Sequence, residues 1–210
     1  SRNNWSEALS NIKASLIRNY HSPKARHLKS MILRKLNHHE EAIQWIKQSL
    51  EIDRFDFGSG YELYKAYVYT NQAEIADRSI ADLKRIMRDD SHTYIEISID
   101  YADAGMYNEA FELLSKICEA KPEALTFYYL GYFKWIQGEK DEAVRWFQKG
   151  FECSPDKVFP NRIEDIEILQ KVIEIVPDDY KAYYYMGNFF YAKRRYDDAR
   201  IHWEKSISIN

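Results

Sequence analysis

Apolar residues along this chain recur with helical spacing, and a small residue returns at a fixed interval. Aligned on the alanine that precedes each apolar run, the positions are Ala8, Ala42, Ala76, Ala110, Ala143 and Ala199, with steps of 34, 34, 34, 33 and 56 residues. One such run predicts an amphipathic helix, and its regular return predicts a chain of repeated units. Ser30, Ser98, Gly131 and Gly187 supply a second set of small residues, each ahead of an alanine. Two helices that cross closely need small side chains at the crossing, so the pair of sets predicts a helical hairpin. Around that crossing, Leu33, Tyr67, Tyr101 and Phe190 on the first helix and Ile46, Ile80, Leu114, Phe147 and Trp203 on the second fill the space.

Punctuation agrees with this reading. Pro122, Pro155 and Pro177 close helices, because proline cannot continue them and biases the preceding residue toward extended geometry. Gly105-Met106 and Gly138-Glu139 reverse the chain within a unit. Paired acids at Asp89-Asp90 and Asp178-Asp179 stand at turns and helix starts, where carboxylates favour the helix dipole. The expected fold class is all-α, an α-α superhelix of about twelve antiparallel helices.

A period of 34 with these residue types resembles the tetratricopeptide repeat, a helix-turn-helix unit. Tyr183, Met186-Gly187, Phe190, Ala199 and Trp203 fall in its slots, as do Phe127, Leu130-Gly131, Gly138, Ala143, Phe147 and Pro155. Tyr94, Tyr101, Gly105, Ala110, Leu114 and Pro122 do the same. Tyr64 stands in a small-residue slot, Arg26 and Gly60 replace the leading aromatic, and Arg54 replaces the usual proline. Units 23–56 and 57–90 are therefore expected to pack less regularly. The organisation reads as the second helix of a truncated repeat at 1–22, four units at 23–157, a single-helix insertion at 158–179 and a final unit at 180–210. In the insertion, Ile163, Ile166, Leu169, Val172, Ile173 and Val176 predict a lone second-type helix, with Asn161 as its candidate N-cap and a change of superhelix pitch as its effect. Helices without partners at both ends suggest an excerpt of a longer protein.

Four stretches carry a narrower likeness: His27–Leu36, Tyr94–Gly105, Phe159–Glu164 and Gly187–Tyr191. Together they resemble the C-terminal repeat region of large bacterial proteins whose N-terminal β-sandwich domain is similar to sugar-mutarotase folds. The resemblance implies a carbohydrate-related setting for the full protein and no catalytic residue in the repeats.

Composition narrows the function. The longest apolar stretches are far shorter than the roughly 20 residues of a spanning helix, so no membrane segment is expected. A net charge of -3 argues against nucleic acid as a partner, yet eight Lys/Arg and a single acid lie between Ser1 and Lys35. Cys118 and Cys153 are too few for a disulfide framework or a zinc site, and both read as small buried thiols. His38-His39-Glu40-Glu41 lacks the one-turn histidine spacing of a zinc protease and falls on a turn. No nucleophile-base motif, phosphate loop or dinucleotide fingerprint is visible, so neither catalysis nor a cofactor or metal is expected.

In repeats of this type the first helix conventionally lines the concave face. Those slots hold Lys24, His27, Met31, Arg34 and Lys35, then Tyr61, Lys65, Val68 and Tyr69, then His92, Ile95 and Ile99. Tyr128, Tyr132, Trp135 and Ile136 follow, and then Lys181, Tyr184, Asn188 and Tyr191. The pattern predicts a ligand groove, basic through Lys24, Arg34 and Lys35 and aromatic through Tyr61, Tyr128 and Trp135. Its expected partner is a protein or peptide, including the N-terminal domain of the same polypeptide. A sugar-stacking role for Trp135 is the alternative.

Overall fold

The computed structural model describes residues 4–118, 121–156 and 158–210. Arg2, counted with the basic end, and the side chain of Cys118 lie outside the described residues. Twelve α-helices and no strand occur among those described, as the all-α reading requires. The chain divides into two compact units, Ser1–Arg88 and Asp89–Asn210.

The first unit holds α1 (Trp5–Arg18), α2 (Pro23–Lys35), α3 (His39–Ile52), α4 (Phe57–Tyr69) and α5 (Ala73–Met87). Each packs on the next, and the first helices α2 and α4 also pack on one another. Leu33, Ala42 and Ile46 form the centre, fully buried, with Leu9, Trp45, Leu50 and Leu63 against them. The second unit holds α6 (Ser91–Asp103), α7 (Tyr107–Cys118), α8 (Ala124–Ile136), α9 (Lys140–Glu152), α10 (Ile163–Ile175), α11 (Tyr180–Ala192) and α12 (Tyr196–Ile209). Its hairpins are α6 with α7, α8 with α9 and α11 with α12.

Each hairpin turns in the same way. Asn37, Asn71, Gly105, Gly138 and Arg194 occupy equivalent positions, and all have φ between 57° and 87°. This is the left-handed residue that ends a helix, usually glycine because a Cβ is strained there, and otherwise often asparagine. The next residue closes a six-to-one hydrogen bond to the helix behind: His38 to Leu33, Gln72 to Tyr67, Met106 to Tyr101, Glu139 to Lys134 and Arg195 to Phe190, all 2.8–3.0 Å. First-helix starts repeat too. Ser22, Asp56, Asp90 and Asp179 each accept from the backbone N–H three residues on, which satisfies one of the donors a helix start leaves open.

The crossings are tight where small residues were expected. Ala42, Ala76, Ala110, Ala143 and Ala199 are buried, while Ala8 is half-buried. A Cβ on Gly131 would lie 2.5 Å from the Phe147 ring, and one on Gly187 would lie 2.3 Å from Trp203. The first two repeats depart from the pattern with visible consequences. Arg26, in an aromatic slot, is buried with its guanidinium 4.7 Å from the Tyr20 ring centre and 4.0 Å from that of Trp45. Beside Gly60, where no aromatic fills the space, a cleft of about 390 Å³ opens over Leu50, Leu63, Ile75, Leu83 and Ile86.

Candidate functional site

In the first unit most of the charge assigned to a groove is used inside the fold. Arg34 is buried and donates to Glu62 twice, Nε to Oε2 at 2.7 Å and Nη2 to Oε1 at 3.0 Å. The guanidinium expected to face an anionic ligand is thus neutralised by α4, and the basic groove reading is corrected at that residue. His27 is buried beneath Gly58, whose missing side chain lets α4 approach the imidazole. Tyr61 is fully buried, and Lys65 is buried with its ammonium 5.9 Å from the Tyr61 ring. Of the assigned residues in this unit, Lys24 is exposed and Lys35 half-buried. Adjacent α2 and α4 simply cover one another where their groove slots meet. His39, from the His-His-Glu-Glu run, stacks on Tyr69 at 5.5 Å, and His38 lies 3.7 Å from Glu41 in solvent.

In the second unit Tyr128 is core. Its ring is fully buried, and its hydroxyl donates to Asp179 at 2.6 Å, so burial first and the adjacent carboxylate second hold the phenol above its ordinary range. Lys181 is also spent internally, donating to the carbonyls of Phe151 at 2.5 Å and Cys153 at 2.6 Å, where it ties α11 to the end of α9. Asn188 accepts from the Trp203 indole at 3.2 Å. Tyr184 and Tyr191 are exposed. Cys153 is half-exposed rather than buried, and its thiol is pushed up by desolvation.

The inserted helix occupies the remaining slots. It forms where its periodicity predicts and packs against two first helices, α8 before it and α11 after it. On α8, Phe127 meets Trp146, Gly131 meets Phe147 and Lys134 meets Glu142, all on α9. The opposite face of α8 meets α10. Tyr129 donates to Asp165 at 2.7 Å, Tyr132 donates to Glu167, and Lys171 lies 5.3 Å from the Trp135 ring. Preceding α10, Arg162 donates to Nδ1 and the carbonyl of His92, each at 3.1 Å, and to Glu96 at 2.9 Å, which reaches α6. Lys193, just after α11, donates to the Asn161 carbonyl at 3.1 Å. His92, Tyr132 and Trp135 are three of the groove positions, so the chain's own helix lies on the face that spacing assigned to a ligand.

Asp165 is the centre of this arrangement. It is fully buried and accepts from the backbone N–H groups of Asn161 at 2.8 Å and Arg162 at 2.9 Å as well as from Tyr129. The helix begins on Arg162 as N-cap rather than on Asn161. Tyr129 and Tyr132 are both raised, first by burial and then by their carboxylate partners. Of the apolar positions expected to face inward on this helix, Leu169 and Val172 are buried and Ile166, Ile173 and Val176 half-buried. Ile163 is 81% exposed, while Asp165, Ile168, Leu169 and Val172 face inward. Sequence reasoning misses Arg162, Asp165, Glu167 and Lys171; the available signal is Asp165 followed by apolar residues three, four and seven positions later, which is one helical face. Beneath α10, between it and α6 and α8, a cleft of about 350 Å³ remains, bordered by Ile99, Tyr107, Tyr129, Tyr132, Glu167 and Ile168.

Among the described residues no group of three His, Cys, Asp or Glu side chains could hold a metal ion, and no helix is long and apolar enough to cross a membrane. Residues 23–56 match the tetratricopeptide repeat family. The described residues are all-α, and the hairpins after that match turn through the same left-handed residue and six-to-one hydrogen bond. No curated protein matches it. Among solved structures it is similar to YrrB, described as a TPR protein with an unusual peptide-binding site: identity is 16%, coverage 100% of this chain and 94% of that one, and TM-score 0.36. TTC0263, a thermophilic TPR protein of Thermus thermophilus, is 17% identical over 82% of this chain and 91% of that one, with TM-score 0.43. MamA from Desulfovibrio magneticus RS-1, residue 41 to the end, is 18% identical over 99% of this chain and 86% of that one, with TM-score 0.33.

Proposed function

We propose that this chain is a binding scaffold, without catalytic chemistry of its own, whose first helices present faces to protein or peptide segments. The observation that supports this reading is the seating of α10: a 13-residue helix held on α8 through Tyr129 and Tyr132 and on α6 through His92 and Glu96. A face that accepts one amphipathic helix through hydroxyl-carboxylate bonds has the chemistry to accept another, as helix-in-groove recognition requires. In the full polypeptide, the resemblance to bacterial proteins with a β-sandwich domain makes that domain a further partner in our reading. Sugar stacking is disfavoured at Trp135, because Lys140 and Lys171 already stand 5.0 Å and 5.3 Å from its ring.

Selection of a displayed random-peptide library on the immobilised chain, beside a glycan panel, tests this. Enrichment of related peptides with no glycan retained is the expected result. Glycan binding with no peptide enriched would overturn it.

A further inference from the structure

The seating of α10 differs from that of every hairpin partner in the second unit. The second helices close on their first helices through small residues, with Ala143 and Gly131 nearly in contact and Gly150 against the Tyr128 ring. Helix α10 has no such crossing. Its grip combines a short apolar stripe, Ile168, Leu169 and Val172, with bonds made by Arg162, Asp165 and Glu167 and the Lys171 ammonium near the Trp135 ring. Pro155 and Pro160 precede it and Pro177 follows it, and proline disfavours extension of the helix in either direction. The cleft of about 350 Å³ left under it shows that its side chains do not fill the face.

We propose that α10 is the resident, exchangeable occupant of a helix-binding face on α8 and α11, reaching α6 at its start, and that the partner for this face is an amphipathic helix of another protein built on α10's own pattern. That pattern is an acid, a second acid two positions later, apolar residues three, four and seven positions later, and an arginine three positions before the first acid, as in Arg162, Asp165, Glu167, Ile168, Leu169 and Val172. The inference rests on the scaffold reading and specifies its partner. Each bond to α6 and α8 comes from a side chain, so a second helix with the same residues replaces the bonds to Tyr129, Tyr132, His92 and Glu96 one for one. Larger apolar residues than Ile168 would enter the cleft, so a partner can outbind the resident. Tethering raises α10's effective concentration, commonly into the millimolar range for a short linker, and this keeps the face closed to weak ligands.

The test uses the intact chain and a fluorescein-labelled peptide of residues 159–177. Anisotropy titrations compare the wild-type chain with Leu169→Ala, in which the resident helix is weakened. The peptide is expected to bind the variant at least ~10-fold more tightly than the wild type, because a tethered competitor sets the apparent affinity. A peptide carrying Asp165→Ala is expected to lose at least ~10-fold on the same variant, since it lacks the acceptor for Tyr129. If Leu169→Ala does not fold, Leu169→Val with the same titrations serves. Equal affinity for wild type and variant, no binding to either, or indifference to the Asp165→Ala change in the peptide overturns the proposal. So does dimerisation of the variant, by gel filtration, that excludes the peptide, because a second copy would then be the occupant. Failure here leaves the peptide-library selection to decide the scaffold reading separately.

Discussion

Arg34 and Glu62 meet side on within the first unit, through two hydrogen bonds of 2.7 Å and 3.0 Å, with 2% and 0% of their side chains exposed. The pair links α2 to α4, which are successive first helices, and it takes out of solvent a cation that spacing alone assigns to the ligand face. Removing one partner takes two charge-assisted hydrogen bonds from the other in the interior. Arg34→Met is expected to cost about 3–5 kcal/mol in urea unfolding, whereas Arg34→Met with Glu62→Leu should recover most of that loss. A single variant as stable as the parent would show that the pair is not held as described.

The hairpin turns carry a built-in comparison. Four of the five left-handed positions hold asparagine or glycine, and the fifth holds Arg194 at φ 61°. A side chain is strained there, while glycine adds freedom to the unfolded chain. Arg194→Gly is expected to stabilise by roughly 0.5–1 kcal/mol, and Gly138→Ala to destabilise by about 1 kcal/mol. Denaturant midpoints of the two variants moving in the same direction would contradict the turn assignment.

Much of the repeat was legible in sequence because its constraints are local. The alanine period located the crossings, Gly105 and Gly138 located turns, and Asp90 and Asp179 located helix starts. Asn37, Asn71 and Arg194 in the same turn geometry were less visible, because their residue types do not demand a positive φ. The candidate groove was only partly legible. Slot counting found His92, Tyr132 and Trp135, which do line an occupied face, but it could not tell them from Tyr61 and Tyr128, whose rings are buried. Burial of those two depends on α4 packing on α2 and on Asp179 reaching Tyr128 from 51 residues away. The seat of α10 depends on Arg162 reaching His92 across 70 residues, and no local pattern encodes that distance.

Alkaline pH should act through the buried phenols. Tyr128, Tyr129 and Tyr185 are held above the ordinary value of about 10, by burial first and by Asp179 or Asp165 second. Above that pH the unfolded chain releases these protons and the folded chain keeps them. The unfolded state then binds fewer protons, so stability is unaffected below about pH 10 and falls above it, by roughly 1.4 kcal/mol per pH unit for each such phenol. Tyrosinate absorbance should therefore appear in two phases, the exposed rings first and the buried ones together with loss of helical circular dichroism. A single gradual titration with helicity retained would contradict the burial of these rings.

Packing at the crossings gives a fourth expectation. The Ala143 carbonyl would lie 3.0 Å from a Cβ on Gly131, and Ala143 itself is fully buried. Ala143→Leu has no space to enter and is expected to cost roughly 1–3 kcal/mol or more. Ala81→Leu, on the exposed side of α5, should change stability by less than about 0.5 kcal/mol. Equal melts for the two would refute the register of the hairpins.

The docked state of α10 is most directly read by amide hydrogen exchange on the intact chain, peptide by peptide across the second unit. A helix that occupies a binding face opens without its receptor, so residues 163–175 are expected to exchange at least ~10-fold faster than the cores of α8 and α11 under native conditions. Asp165→Ala should widen the difference by speeding α10 while leaving α8 and α9 protected. Protection of α10 equal to that of α8 and α11, lost only with global unfolding of the unit, would make it a fixed part of the core and contradict its role as an occupant.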